Sequence, residues 1–398
     1  MKKHSGKTGA WLIGAYGDIA TTLIVGSCAI QHHLASNTGL VTELAPMNQL
    51  DLGSLDNLVI GGHDIIDNSV LQQAEAVCER SRTFSYSLLK QVAPDLKTID
   101  ANITVIPALH WDTSQPADQS QSLLDLCKQL RHLIREFSDK NDLDHVVVVN
   151  VASAEMFIPL TDAHNVIDNF VDLIGADRKD QVSPSMLCAY AAFLEHCSYV
   201  NFTPNVGAAI GALKSLAIQH GLPYYGNDGK TGETLVKTAL APMFAARHLR
   251  VMSWEGTNLL GNGDGKTLSD PQNCKNKIQN KSAVLPQILG YPVHAGIDIN
   301  FVPSLGDWKT AWDLVHFKGF LDVPMTMQFT WQGCDSILAA PLILDLIRLV
   351  EFAWRNGEHG PMHHLACFFK NPLSVDEHNF YKQFEMLLNY TYRHLEEN

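Results

Sequence analysis

Four β-branched residues stand in a row at Val146–Val149, inside the segment His145–Asn150 (HVVVVN). A strand with one wet face would alternate apolar and polar residues. A continuous apolar run belongs to a strand covered on both faces, and such strands are found in parallel sheets. The first 225 residues repeat the theme. Ala10–Ile13, Leu58–Ile60, Ile103–Pro107, Tyr199–Phe202 and Pro223–Tyr225 read as further short strands bounded by glycine or polar residues. Between them, Thr21–His33, Ser69–Val92, Ser120–Ser138, Ser185–Cys197 and Val206–His220 carry helical spacing. Strand and helix in alternation predict an α/β fold, a parallel sheet with helices on both faces.

The pattern changes after Gly226. Val293–Phe301, Thr310–Phe320 and Met325–Trp331 read as strands of an antiparallel sheet, and Gly333–Phe352 returns to a helical period. The expected organisation is a nucleotide-binding α/β domain over residues 1–225, an inserted α+β domain over 226–332, and C-terminal helices over 333–398 that pack back on the first domain.

Composition excludes several function classes. The chain has 398 residues and a formal net charge of −13. That charge argues against a nucleic-acid surface and against an anionic membrane surface. The eight cysteines include no CxxC pair, as in a reduced cytoplasmic protein without a disulfide framework or zinc site. Asp18 interrupts the apolar stretch that follows the basic N-terminus, so this is not read as a signal peptide. Ile337–Val350 is too short for a membrane span and carries Asp345 and Arg348. A cytoplasmic location is expected.

Two segments carry chemistry. Gly14-Ala15-Tyr16-Gly17-Asp18-Ile19-Ala20 follows the first strand and opens a helix. Free N–H groups at such a turn suit a pyrophosphate. The spacing departs from G-x-G-x-x-G/A, because Tyr16 takes the second glycine's place and the next glycine is Gly17. An ordinary βα turn gives the same pattern. Asp18 would cap the helix, yet it would also face a bound pyrophosphate. The second segment runs from Gly226 to Ser282, where Lys266, Lys275, Lys277 and Lys281 gather near glycine-rich turns in an acidic chain. A phosphorylated small molecule is the simplest anion to expect there.

In order along the chain, these motifs resemble the myo-inositol-1-phosphate synthase family. Gly61–Ile65 is similar to the family's GGWDI, and Asn150–Glu155 (NVASAE) to its TANTE, with Ser153 in place of Asn. Gly226–Thr234 (GNDGKTGET) resembles GDDFKSGQT, and Leu260–Gly265 resembles LGNNDG. Lys275–Ser282 resembles RSKEISKS, Gly306–Lys309 resembles GDSK, Cys334–Pro341 resembles CEDSLLAAP, and Phe369–Leu373 resembles LKAPL. The resemblance implies a Rossmann-like NAD-binding domain with an inserted α+β domain that covers the site and forms most of a homotetramer interface. It implies a redox-neutral cyclisation of glucose 6-phosphate: oxidation at C5 by NAD, loss of a proton from C6, attack of the enolate on C1, and reduction of C5.

Negative charge builds on oxygen at each of those steps, and one placed donor is worth on the order of 10²–10³ in rate. Matched positions nominate Lys277, Lys281, Lys309 and Lys370 for that work, with Asp307 and Asp335 to orient ammonium groups or relay a proton. The resemblance assigns the cofactor to Gly14, Tyr16, Gly17, Asp18, Ile19, Ala20, Asp64, Ala152, Ser153, Asp228, Asn262, Asp264 and Ser336. It assigns the substrate to Lys230, Thr231, Gly232, Glu233, Thr234, Asn262, Lys277 and Lys281. Asn262 and Asp264 leave a monovalent or divalent cation open. NAD is expected over NADP, because no arginine follows the second strand in a phosphate-reading position. Glu233 stands where the family pattern has Gln, and a carboxylate in a phosphate cradle repels its ligand by roughly 1–4 kcal/mol at ~4 Å. Either a cation answers it, it points away, or the substrate differs. Alternatives therefore stay open: a relative closing another sugar phosphate, such as a ketose phosphate to a five-membered ring, or a non-catalytic dinucleotide-binding scaffold.

Overall fold

The computed structural model describes residues 6–111, 121–261 and 284–396. Its main sheet has seven parallel strands: β1 (Thr8–Ile13), β2 (Leu58–Asp64), β3 (Ile103–Val105), β4 (His145–Asn150), β5 (Ser198–Asn201), β6 (Pro223–Gly226) and β11 (Gly360–Pro361). The order is β11-β6-β5-β4-β1-β2-β3, so the winding direction reverses between β1 and β4. Ligands of open α/β sheets bind outside the carboxyl ends of the strands at such a reversal.

The valine run does what its composition demands. Val147 and Val149 enter one core, with α1 (Asp18–Gln31), α3 (Tyr86–Asp100), and two C-terminal helices, α9 (Asp335–Arg355) and α10 (Phe380–Glu396). Val146 and Val148 enter the other, under α4 (Leu123–Asn141), α6 (Pro184–Leu194) and α7 (Gly211–Gln219). The second expected strand does not stop at its glycines. β2 runs through Gly61 and Gly62 to Asp64, paired with β1 as far as His63, and its glycines permit the close approach: a Cβ on Gly62 would stand 2.2 Å from the Leu12 carbonyl oxygen. The expected helix over 69–92 is two helices. Ser69 caps α2 (Val70–Ser81), Arg82 turns left-handed at φ 52°, and Ser85 caps α3. A short α5 (Ile167–Gly175) was not foreseen.

After Gly226 the chain leaves this sheet and returns to it at Gly360. In between, α8 (Glu233–Ala246) packs on a second sheet of order β10-β9-β7-β8, made of β7 (Arg250–Leu260), β8 (His294–Phe301), β9 (Trp308–Lys318) and β10 (Pro324–Cys334). This sheet is mixed, not antiparallel: β7 and β8 run parallel. β7 escapes a reading by periodicity for a structural reason. Its pairing with β9 slips between Val251 and Ser253, so the inward residues Val251 and Trp254 are three apart. Further along, the inward positions are Gly256 and Asn258, which are not apolar anchors. Ala241 and Phe244 of α8 pack with Val251, Trp254 and Val315.

Two histidines are buried in the main sheet. The His63 Nδ1 lies 3.0 Å from the Trp11 indole N–H, and burial pushes His63 down to about 4. His145 meets the Ser198 hydroxyl at 2.7 Å and stacks on Trp354, and burial pushes it down to about 3. Both values lie below the ordinary 6.5, so the folded state refuses protons that the unfolded chain accepts. Their stabilisation is fully present above that ordinary value and is lost as pH falls from it. Asp345, pushed up to about 6 by burial, works in the opposite direction, but the two histidine displacements together exceed its one. Urea titrations should show the unfolding midpoint falling steadily as pH drops from about 6.5 to about 4.5, with a shallower fall for His145→Asn. A midpoint that rises over that range would contradict the assignment.

Candidate active site

Three strand ends form the side of the candidate site where a dinucleotide would lie. Gly14–Gly17 leave β1, Asp64 ends β2, and Ala152 and Ser153 follow β4. Gly14 sits at φ +85°, and a Cβ there would lie 2.8 Å from Ala152 Cα. The Gly14 and Ala15 N–H groups donate to the His63 carbonyl, and the Tyr16 N–H donates to Asp64 at 2.8 Å. Asp64 also accepts from the Ile65 and Ile66 N–H groups, so it fixes the loop from the neighbouring strand. The Tyr16 ring is buried in the first core, and its hydroxyl donates to Asp100. Gly17 caps α1 with no side-chain bond to the helix N–H groups. A strand, a close glycine turn and an uncapped 14-residue helix fit a dinucleotide pyrophosphate.

Asp18 does stand in the first turn of that helix. Its carboxylate takes both bonds at 2.7 Å from the Arg80 guanidinium and a third at 2.9 Å from Gln73. Arg80 therefore answers the charge that would oppose a pyrophosphate. No local signal could have shown this, because the pair is 62 residues apart.

The other side of the site comes from β6, β9, α9 and the segment before α10. The Asn227 and Lys370 N–H groups cross-bond with Asn371 and Asp228 carbonyls at 2.8 and 2.7 Å, which sets the two segments side by side. Lys370 then reaches Asp228 at 2.7 Å. Lys309 forms a short contact with Asp335, and Thr231 donates to the same Asp335 oxygen at 3.2 Å. Burial would raise the Asp335 carboxyl, but Lys309 first, and then Lys370 and Thr231, bring it below its ordinary value. Two of the nominated lysines thus act on one carboxylate.

Gly232 caps α8, again with no side-chain bond to the helix N–H groups. A Cβ on Gly232 would lie 2.6 Å from the Lys309 ammonium and 3.7 Å from the Trp331 indole nitrogen. That indole N–H, overlooked in the sequence, is buried without a partner among the described residues. Thr231, Gly232 and Thr234 are buried around this helix start.

Other nominated residues lie elsewhere. Lys230 is 2% exposed and its amine donates to Gln383 of α10, which withdraws it from Asp228 and Asp335. Burial pushes it down to about 8. Asp307 accepts from the Cys334 thiol at 2.8 Å and from the Ser336 N–H at 3.0 Å, so it closes the start of α9 instead of pairing with a lysine. Burial raises its carboxyl. Ser336 is buried at that same start. Glu233 is buried and paired with Lys237 at 2.5 Å, a residue the sequence reading passed over although it lies one helical turn on. Asn262, Asp264, Lys277 and Lys281 lie outside the described residues. Among the described residues no cluster of three or more His, Cys, Asp or Glu could hold a metal ion, and no helix is long and apolar enough to cross a membrane.

A family model described as Myo-inositol-1-phosphate synthase matches residues 8–393. This chain belongs to the myo-inositol-1-phosphate synthase family. It is 33% identical to inositol-3-phosphate synthase 1 of Bacteroides thetaiotaomicron, over 97% of this chain and 95% of the relative. The inositol-3-phosphate synthase of Dictyostelium discoideum is 31% identical, over 88% of this chain and 75% of its own length. The crystal structure of inositol-3-phosphate synthase from Caenorhabditis elegans superposes with a TM-score of 0.85 at 25% identity, covering 97% of this chain and 85% of that one. The synthase family uses NAD, and the loop from Gly14 to Ala20 is the part of this chain that fits it.

Arg80 gives this fit a direct test. Arg80→Met should weaken NAD binding about tenfold, the cost of a partly screened charge near a pyrophosphate. Asp18→Asn in the same chain should restore most of the loss, read by fluorescence titration of the dinucleotide. An Arg80→Met protein with unchanged affinity would place the pyrophosphate away from Asp18.

Proposed function

We propose that this chain converts glucose 6-phosphate to 1D-myo-inositol 3-phosphate, an NAD-dependent intramolecular cyclisation. The observation that carries this reading is the meeting of Lys309, Lys370, Asp335, Asp228 and Thr231 beside the carboxyl edge of a nucleotide-type sheet. A non-catalytic scaffold has no use for two lysine–carboxylate pairs at a cofactor edge. The chain's relatives named inositol-3-phosphate synthase favour the six-membered ring over a five-membered one.

Bound NAD supplies the oxidation and the returning reduction at C5. Gly14, Tyr16, Gly17, Asp18, Ile19, Ala20 and Asp64 form the loop side of its site, with Ala152, Ser153, Asp228 and Ser336 assigned to the same ligand. Thr231, Gly232 and Thr234 at the start of α8 take the substrate phosphate, where free N–H groups and the helix dipole favour an anion. Lys309 stands across that helix start and adds its charge. Lys309 and Lys370 hold the oxygens on which negative charge grows. Asp335 orients Lys309, and Asp228 orients Lys370. Lys277, Lys281, Asn262 and Asp264 complete the site by their matched motifs, and a cation at Asn262 and Asp264 belongs to the same proposal.

The same reading proposes three parts: a cofactor-binding unit over 1–225, an inserted catalytic unit over 226–332, and returning helices over 333–398. It also proposes a cytoplasmic homotetramer. The second sheet supports the assembly. Trp312 on β9 is 41% exposed, and Phe320 at the β9–β10 turn is 89% exposed. Large apolar side chains held in water at one sheet suit a partner surface.

Incubation with NAD and either glucose 6-phosphate or a ketose 6-phosphate, with NMR of the products, tests the activity. An inositol phosphate from the aldose alone is expected, and Lys309→Ala and Lys370→Ala should each lower kcat on the order of 10²–10³. A cyclopentane product, or full turnover by both variants, would overturn the reading.

A further inference from the structure

The helix start assigned to the substrate phosphate carries an acid as its first residue, Glu233. An acid there favours the helix dipole in the empty protein and opposes an anion in the loaded one. The structure shows where its charge goes. Glu233 is 4% exposed. One carboxylate oxygen lies 2.5 Å from the Lys237 ammonium, and the other accepts from the Asn258 amide of β7 at 2.7 Å. Lys237 is also 4% exposed. It lies 3.7 Å from Asp313 of β9 and 5.9 Å from the centre of the Trp254 ring. The Trp254 indole donates to Asp313 at 2.7 Å, so that carboxylate is held in place as well.

The room for this cluster comes from one glycine. A Cβ on Gly256 of β7 would stand 2.8 Å from Glu233, 3.1 Å from Asp313 and 3.5 Å from Lys237. Three elements therefore converge on the pair: α8 supplies both charges at the i,i+4 spacing that faces them together, and β7 and β9 supply the seat. A lysine on the exposed side of α8 could not do this. Its stem would be free, and water would screen its charge.

We propose that Lys237 is a positioning residue for substrate binding: it holds the Glu233 carboxylate down on the second sheet and cancels its charge, so that the start of α8 accepts a sugar phosphate. Lys237 acts through Glu233 and does not touch the phosphate. This rests on the phosphate assignment above. It explains how a chain with Glu where the family pattern has Gln keeps an anion site: the exchange adds one negative charge, and the lysine one turn later answers it.

Lys237→Met releases an unanswered carboxylate at the helix start. It should raise KM for glucose 6-phosphate 10- to 100-fold while kcat changes less than about threefold. Lys237→Arg should stay within about threefold of wild type. The decisive variant is Glu233→Gln with Lys237→Met, which removes both charges and should bring KM back to within about threefold. If Lys237→Met alone fails to fold, the double variant and Glu233→Gln alone still decide, with Glu233→Gln expected to lower KM. A double variant that keeps a high KM would overturn the proposal, because the effect of Lys237 would then not run through Glu233. A folded Lys237→Met with wild-type KM would overturn it too. Inorganic phosphate, read by its shift of the thermal midpoint in the same four proteins, separates this from the catalytic reading. A wild-type chain with no cyclase activity ends the catalytic reading alone, and loss of phosphate affinity in Lys237→Met, with its return in the double variant, would still support the positioning role.

Discussion

An anion can rest at a helix start only if the carboxylates around it are already answered, and everything assigned to this site depends on that condition. Both candidate anion-binding helices open with an acid, Asp18 on α1 and Glu233 on α8. A bare carboxylate ~4 Å from a phosphate costs about 4 kcal/mol at an effective dielectric near 20, which exceeds the roughly 0.3–2 kcal/mol that the helix dipole returns. The two solutions differ with their surroundings. Asp18 is partly exposed and takes a guanidinium from another helix, one of whose nitrogens donates to both carboxylate oxygens, a charge-assisted contact that holds even where water weakens the charge. Glu233 is buried and takes an ammonium from its own helix, where little water screens the attraction but any unpaired member would be costly.

The helix that carries Arg80 also joins the two halves of the candidate site. Ser81, next to Arg80 at the end of α2, accepts from the Asp307 N–H at 3.2 Å, and its carbonyl accepts from the Trp308 indole at 2.8 Å. Asp307 closes the start of α9, where Asp335 stands, and Lys309 follows two residues later. Arg80 itself lies against Gly306, so a Cβ on that glycine would meet it at 3.1 Å. The helix that pairs with Asp18 therefore also holds the turn that leads into Lys309. Asp307, read from its motif as an orienter of ammonium groups or a proton relay, finds its use in this joint: it positions backbone, and it bonds a thiol and an amide instead of a lysine.

How much of this was legible follows from the range of each interaction. The parallel sheet was written in local composition, since a valine run that feeds two cores needs no distant information. The split of the helix over 69–92 hung on one left-handed residue, Arg82, whose side chain gives no warning of it. β7 was hidden because its period slips after Val251 and because its later inward positions, Gly256 and Asn258, serve the Glu233 cluster instead of a core. Among the site residues, motif matching nominated Lys309, Lys370 and Asp335 for charge stabilisation and Asp228 for the cofactor, and the fold pairs Lys309 with Asp335 and Lys370 with Asp228. Lys230 was assigned to the substrate by its matched place in the Gly226–Thr234 motif. In a tight segment, successive side chains cannot all face one ligand, and its amine faces Gln383 instead. The answer to the Glu233 puzzle was local, four residues on, whereas the answer to Asp18 was not.

The pairing of Lys309 with Asp335 bears on which of them handles protons. A carboxylate that relays a proton must accept one near neutral pH, which needs its affinity raised by burial or a neighbouring acid. Asp335 goes the other way, because the cations around it outweigh its burial. It is thus a poor proton store and a good anchor. An anchor of this kind also has a use in catalysis. It keeps an ammonium in place before charge develops on the substrate, and it can yield part of that ammonium's hydrogen bonding to an oxyanion as the charge grows. Stabilisation that is larger in the transition state than in the ground state is what lowers a barrier. This supports orientation over proton relay for Asp335, and it leaves proton removal to a group that can lose a proton near neutral pH.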